Sequence, residues 1–289
     1  LAVGALELDA ALQVVGRPSP TVTATPFAAA GCTSPQLLMA RGGSLAAVTW
    51  QALAGPRVAA LERDPAGGGW SVRGQAQPLP GPVTSWTASA SVPGQLLLAA
   101  GGELLALDAA AASPAPRPLE PVAGATVADL LAGAPCAALG PVDGVEAVAA
   151  WPWSAPAGAG RVATERVAVA YRQAGLSWVA TFDRHDPAGT LRRGLSGVAP
   201  TALALAPDAP YLADAEPSPL AASLGTLQRF ARSAGPAVAG CATSLVVDAA
   251  LHLGGDPLAS VPPFGGLQPV SAGARLLALP ELCLTGGCG

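Results

Sequence analysis

The chain has 289 residues, a net charge of −4 and only 12% charged side chains, without a basic run or basic–aromatic interleaving. Phosphate neutralisation carries nucleic-acid binding and polybasic clusters carry attachment to anionic lipid, so neither partner is expected. The length fits one large all-β domain or two ordinary ones.

Lys, Ile and Asn are absent. Their codons are AT-rich, so the composition reads as that of a high-GC bacterium. The absence has physical consequences: every fixed positive side chain is Arg, a planar multidentate donor, and N-linked glycosylation is excluded. Thirty-five Gly and 30 Pro are spread throughout, with short apolar runs between them. Runs of that length cut by frequent turn signals point to a sandwich, barrel or propeller.

The sequence starts at Leu1 rather than Met, which fits an exported chain whose leader has been removed, and equally a fragment. The two long uncharged stretches, Pro18–Ala40 and Gly74–Gly102, are interrupted by Pro20, Pro26 and Pro35 and by Pro78, Pro80, Pro82 and Pro93. Neither can span a bilayer as a helix, so no transmembrane segment is expected.

A strand pattern then begins at Val48-Thr-Trp50, continues through Val58–Arg63, reverses at Asp64-Pro-Ala-Gly67 and returns as Trp70–Gly74. Pro fixes φ in such a reversal and Gly takes its left-handed position. A strand candidate at Pro82–Ser89 follows, then two strands, Gln95–Ala100 and Glu103–Asp108, joined by Gly101-Gly102. Thr126-Val-Ala-Asp129 is a capping-box pattern and predicts one or two helical turns. Trp151-Pro-Trp153 sets two aromatics on one side of an extended segment. They are the candidate binding residues, able to stack on a sugar or anchor a partner, with core plugs as the competing role. Gly158-Ala-Gly160-Arg-Val-Ala163 matches a dinucleotide fingerprint by letter, but follows a Pro-rich turn and opens no helix, so it reads as a loop.

From Val169 the earlier pattern recurs: Val169-Ala-Tyr171, Val179–Arg184, the turn Asp186-Pro-Ala-Gly189, Leu191–Gly194, and then Pro200–Leu205. The copies align without a gap from Val48 to Arg63, and His185 is one extra residue before the second turn. Each copy reads as an antiparallel three-stranded meander. Asp208, Asp214 and Glu216, around Tyr211, offer oxygen ligands for Ca²⁺ or form a solvated loop before a helix. Ser218-Pro219 followed by Leu220, Leu224, Leu227 and Phe230, with Arg229 and Arg232 near the end, predicts a helical insertion near 218–232. His185 reads as an exposed turn residue and His252 as a strand residue facing water. No converging nucleophile–base set or metal-ligand spacing is found, so no catalytic or metal residue is assigned.

Five cysteines remain. Cys283-Leu-Thr-Gly-Gly-Cys288 reads as a disulfide-closed hairpin near the C-terminus, within 275–289. Of Cys32, Cys136 and Cys241, two could bridge, and sequence does not say which. Disulfides imply an oxidising compartment, so the expected location is extracellular, cell-surface or periplasmic.

The repeated meanders resemble β-propeller blades over about half the chain, with Asp64–Gly67 and Asp186–Gly189 at the corresponding turn and no clean Trp-Asp or double-glycine signature. The resemblance implies one all-β, propeller-like domain over 1–289, with a β-sandwich as the alternative. The expected role is a non-enzymatic binding or scaffold component of a cell surface, pilus or envelope complex, with a protein partner or assembly and no cofactor beyond Ca²⁺. The alternatives are a hydrolase or lyase acting on glycans or lactones through loop carboxylates, and a repeating subunit of a filament or coat.

Overall fold

The computed structural model describes residues 33–66, 69–157, 160–207, 216–223 and 226–252, together with two short strand pairs nearer the ends. The first pair is β1 (Glu7–Leu8) with β2 (Val14–Gly16). Four antiparallel sheets follow, each a four-stranded meander in chain order. Sheet 1 is β3 (Thr33–Met39), β4 (Leu45–Ala52), β5 (Gly55–Arg63) and β6 (Trp70–Pro78). Sheet 2 is β7 (Val83–Ala88), β8 (Gln95–Ala100), β9 (Glu103–Asp108) and β10 (Pro116–Pro118). Sheet 3 is β11 (Val142–Ala157), β12 (Gly160–Gln173), β13 (Leu176–Asp183) and β14 (Arg192–Leu195). Sheet 4 is β15 (Ala202–Pro207), β16 (Pro217–Ser223), β17 (Thr226–Val238) and β18 (Cys241–His252). The second pair is β19 (Gln268–Pro269) with β20 (Leu276–Leu277). The expectation of an all-β chain is met.

The sheets stack face to face in chain order, and side-chain alternation explains how. On β8, Leu96, Leu98 and Ala100 join Leu38, Ala47 and Val58 of sheet 1, while Leu97 and Ala99 turn to sheet 3. A strand buried on both faces loses the polar alternation of a half-exposed one, which is why Gln95–Ala100 is a continuous apolar run. Sheet 3 puts large groups toward sheet 2 (Val167, Val169, Tyr171, Trp178 and Phe182) and small ones toward sheet 4 (Ala147, Ala149, Ala168 and Ala170). Each large side chain removed from water contributes roughly 1.5–3 kcal/mol. β11 lies beside β7 on one side and β15 on the other. Thr84 Oγ1 donates to the Glu146 carbonyl at 2.8 Å, and Val148 N–H donates to Ser85 Oγ at 3.1 Å. Where neighbouring loops cross, a Cβ on Gly81 would stand 2.5 Å from the Gly101 Cα, so only glycine fits.

The two similar segments occupy corresponding strands. Val48–Arg63 spans most of the β4–β5 hairpin, and Val169–Arg184 spans much of β12–β13. Trp50 opposes Arg57 and Tyr171 opposes Trp178. In both turns the Asp carboxylate accepts a backbone N–H: Asp64 from Ala66 at 2.9 Å, and Asp186 from Gly189 at 3.1 Å. The second turn closes as a short helix, Pro187–Thr190. The capping box is present at Thr126 and Asp129, and opens the helix Val127–Ala132.

The helix expected near 218–232 is corrected: residues 218–223 belong to β16 and residues 226–232 to β17. Apolar residues three and four apart also arise when two strands fold back on each other, and Gly225 inside the segment would cost a helix about 1 kcal/mol. Ala221 and Phe230 instead face sheet 3, while Arg229 pairs with Asp248 of the neighbouring strand β18.

Cys136, in a 3-10 turn (Cys136–Leu139), is bonded to Cys241 at the start of β18. This assigns the pair that sequence left open. Cys32, Cys283 and Cys288 lie outside the described residues. β16 pairs with β17 only as far as Arg229, so the rest of the β17–β18 hairpin extends past it and crosses β14. There Arg193 N–H donates to Ser244 Oγ at 3.2 Å, and a Cβ on Gly194 would meet the Leu245 carbonyl oxygen at 2.5 Å. The Arg193 guanidinium reaches the other way and donates to the Leu130 and Leu131 carbonyls, each at 3.0 Å, closing the end of the 127–132 helix. The bond joins positions 105 residues apart, a loop whose closure removes much denatured-state entropy. The double variant Cys136→Ser/Cys241→Ser is expected to lose about 2–5 kcal/mol of unfolding free energy, measured by denaturant titration. An unchanged midpoint would show that the β17–β18 hairpin is held by packing alone.

Candidate functional site

The β11–β12 ladder runs from Val142 opposite Gln173 to Ala157 opposite Gly160. β13 accompanies β12 only as far as Asp183 opposite Arg166. Residues 152–157 and 160–165 therefore project beyond sheet 3 as a two-stranded arm. Of the fingerprint-like stretch, residues 160–163 open β12 and form a strand rather than the expected loop, while Gly158 and Ala159 lie outside the described residues.

Trp151 stands at the root of the arm opposite Arg166, and Trp153 one pair further out opposite Thr164. The period of two puts Trp151, Trp153, Thr164 and Arg166 on one face. Trp151 packs against the core between sheets 3 and 4 and keeps part of its surface exposed. Trp153 is half-buried, with the Arg166 guanidinium 5.3 Å and the Arg161 guanidinium 5.6 Å from its ring centre. That is cation–π range, so the cations steady the indole. Both tryptophans border a cleft of about 610 Å³, completed by Ser91 from the loop after β7, by Arg161 and Thr164, and by Pro207 at the end of β15.

Two charged clusters hold the root of the arm. The Glu165 carboxylate is fully buried and accepts hydrogen bonds from Ser89 Oγ at 2.9 Å, from the N–H groups of Ala90 and Ser91, and from Arg184 at 2.6 Å. It thereby fixes the 89–91 loop, one wall of the cleft. Arg166, on the opposite face, donates to Asp183 at 2.5 Å and to Glu216, which also receives Arg232 at 3.4 Å. Burial pushes the Glu216 carboxyl up, but Arg166, then Arg232 and Arg192, outweigh it and hold it below the ordinary value of 4.5.

The sequence candidates divide as follows. Trp151 and Trp153 meet at the cleft. His185 sits exposed in its turn. His252 ends β18, and its side chain is outside the described set. Glu216 is committed to arginine ion pairs rather than to a solvated loop, while Asp208, Tyr211 and Asp214 lie outside the described residues. Among the described residues no group of three metal-ligating side chains occurs, and no helix is long and apolar enough to cross a membrane. Sequence reasoning missed Glu165, Arg166, Thr164 and Ser91. A Glu-Arg pair just before the apolar run 167–171, in a chain this poor in charge, was the available signal. No family model matches the chain, and no curated protein matches it.

Replacing Glu165 with Ala strands Arg184 and two backbone donors. The expected cost is about 3–5 kcal/mol, read as a shift in the denaturant midpoint, and a loss below 1 kcal/mol would remove Glu165 as the clamp. For Glu216, a folded pKa below the unfolded one gives stability that is present above about pH 4.5 and lost as pH falls through the lower folded value. Melting temperature between pH 7 and 3 should therefore fall more steeply in the native chain than in Glu216→Gln. Parallel curves would contradict the assignment.

Proposed function

We propose that the protein is an exported, non-enzymatic binding or scaffold component of a cell surface or envelope assembly. In this reading its four meanders are blades of a propeller-like array, and the Trp151–Trp153 cleft is its working surface. One observation carries the reading: two partly exposed tryptophans stand on firmly paired strands at a cleft whose lining, among the described residues, contains no carboxylate. Rigid aromatics on a fixed scaffold give contact area at low entropic cost.

The repeated meander, the face-to-face stacking and the adjacency of the first strands β7, β11 and β15 support the propeller-like array. The Cys136–Cys241 bond supports export, since such bonds persist in oxidising compartments. Among the described residues, the carboxylates around the root of the arm, Glu165, Asp183 and Glu216, are each bound by arginine, which counts against a hydrolase acting through them.

Fractionation of the native host, with thiol labelling of the recovered chain, tests the reading. The expected result is an oxidised chain outside the cytoplasm that sediments with purified envelope material. The Trp151→Ala chain should fold and lose that association at least tenfold. A reduced cytosolic chain would overturn export, and undiminished association of the variant would overturn the cleft.

A further inference from the structure

Thr164 borders the cleft, and no described residue hydrogen-bonds its hydroxyl, which is open to the cleft. Thr164 is directly opposite Trp153 and shares its face with Trp151. The Ser91 and Ser154 residues lie along the same cleft. Trp153 is flanked by two guanidiniums and serves as a steadied wall, whereas no cation stands over Trp151 among the described residues.

We propose that the cleft is a saccharide subsite. One pyranose ring stacks its C–H face on Trp151, and a ring-edge hydroxyl pairs with Thr164 Oγ1. The inference rests on the cleft being the binding surface and adds the class of its ligand. A sugar ring has an apolar face with a rim of hydroxyls, which complements an indole bordered by hydroxyl side chains. An extended Pro-rich peptide would also find the aromatic, but its tertiary amides carry no N–H to donate and would leave the hydroxyl rim less well matched. The volume of about 610 Å³ is ample for one or two sugar rings.

The test is titration of the full chain with cellotetraose, maltotetraose, chitotetraose and tetragalacturonate, followed by intrinsic tryptophan fluorescence, with a proline decapeptide as the competing probe. At least one saccharide is expected to bind with a Kd of about 1 mM or tighter. Trp151→Ala should weaken it at least tenfold. Thr164→Val, which keeps shape and strand propensity while deleting the hydroxyl, should weaken it about fivefold. Should Trp151→Ala compromise folding, Thr164→Val alone decides. Failure of all four saccharides to bind at 10-fold above that Kd, preference for the peptide, or unchanged affinity in folded Thr164→Val would overturn the saccharide assignment. If envelope association still depended on Trp151 in that event, the binding-surface reading would survive and only the ligand class would fall.

Discussion

Glu165 and Arg166 are neighbours on β12, and alternation sends them to opposite faces of sheet 3. Glu165 gathers the loop after β7 and Arg184 on the side of sheet 2. Arg166 gathers Asp183 and Glu216 on the side of sheet 4. The apolar faces between these sheets are largely Val, Leu and Ala, whose attraction is non-directional and tolerates sliding. Buried ion pairs add little net stability once desolvation is counted, but a misplaced one is severely penalised. Their contribution here is to select one stacking of the three sheets and to hold the root of the projecting arm.

The binding surface follows from that constraint. The arm leaves sheet 3 where β13 ends, and among the described residues no third strand pairs with its outer part. Its stiffness comes from the clamp at its base and from the guanidiniums beside Trp153. A half-exposed indole held this way loses little freedom when a ligand arrives. The 89–91 loop, pinned by Glu165, brings Ser91 to the same place, so a clamp built for stacking also shapes a wall of the cleft.

The opposite margin of sheet 3 is secured differently. The β17–β18 hairpin crosses β14, with Gly194 leaving room for the Leu245 backbone and the Cys136–Cys241 bond pinning the tip. β14 is the outer strand of its sheet, and an uncovered edge invites unwanted pairing. Covering it with a covalently held hairpin removes that hazard. Arg193 joins the same region to the helix Val127–Ala132 through the Leu130 and Leu131 carbonyls.

Local chemistry was legible in the sequence wherever the deciding interactions lie within a few residues. The capping box at Thr126, the Asp-Pro-Ala-Gly turns, the apolar runs of β8 and β9 and the all-β class all follow from propensity and period. So does the shared side of Trp151 and Trp153, because strand alternation is a local rule. The segment 218–232 shows the limit: its spacing satisfied a helix and a folded pair of strands alike, and only burial of Ala221 and Phe230 against sheet 3 separated them. The pairing of Cys136 with Cys241, the meeting of Ser91 with Thr164 across the cleft, and the clamps at Glu165 and Arg166 join residues far apart in the chain. Such contacts depend on how whole sheets stack, a property of the assembled structure that no local window of sequence contains.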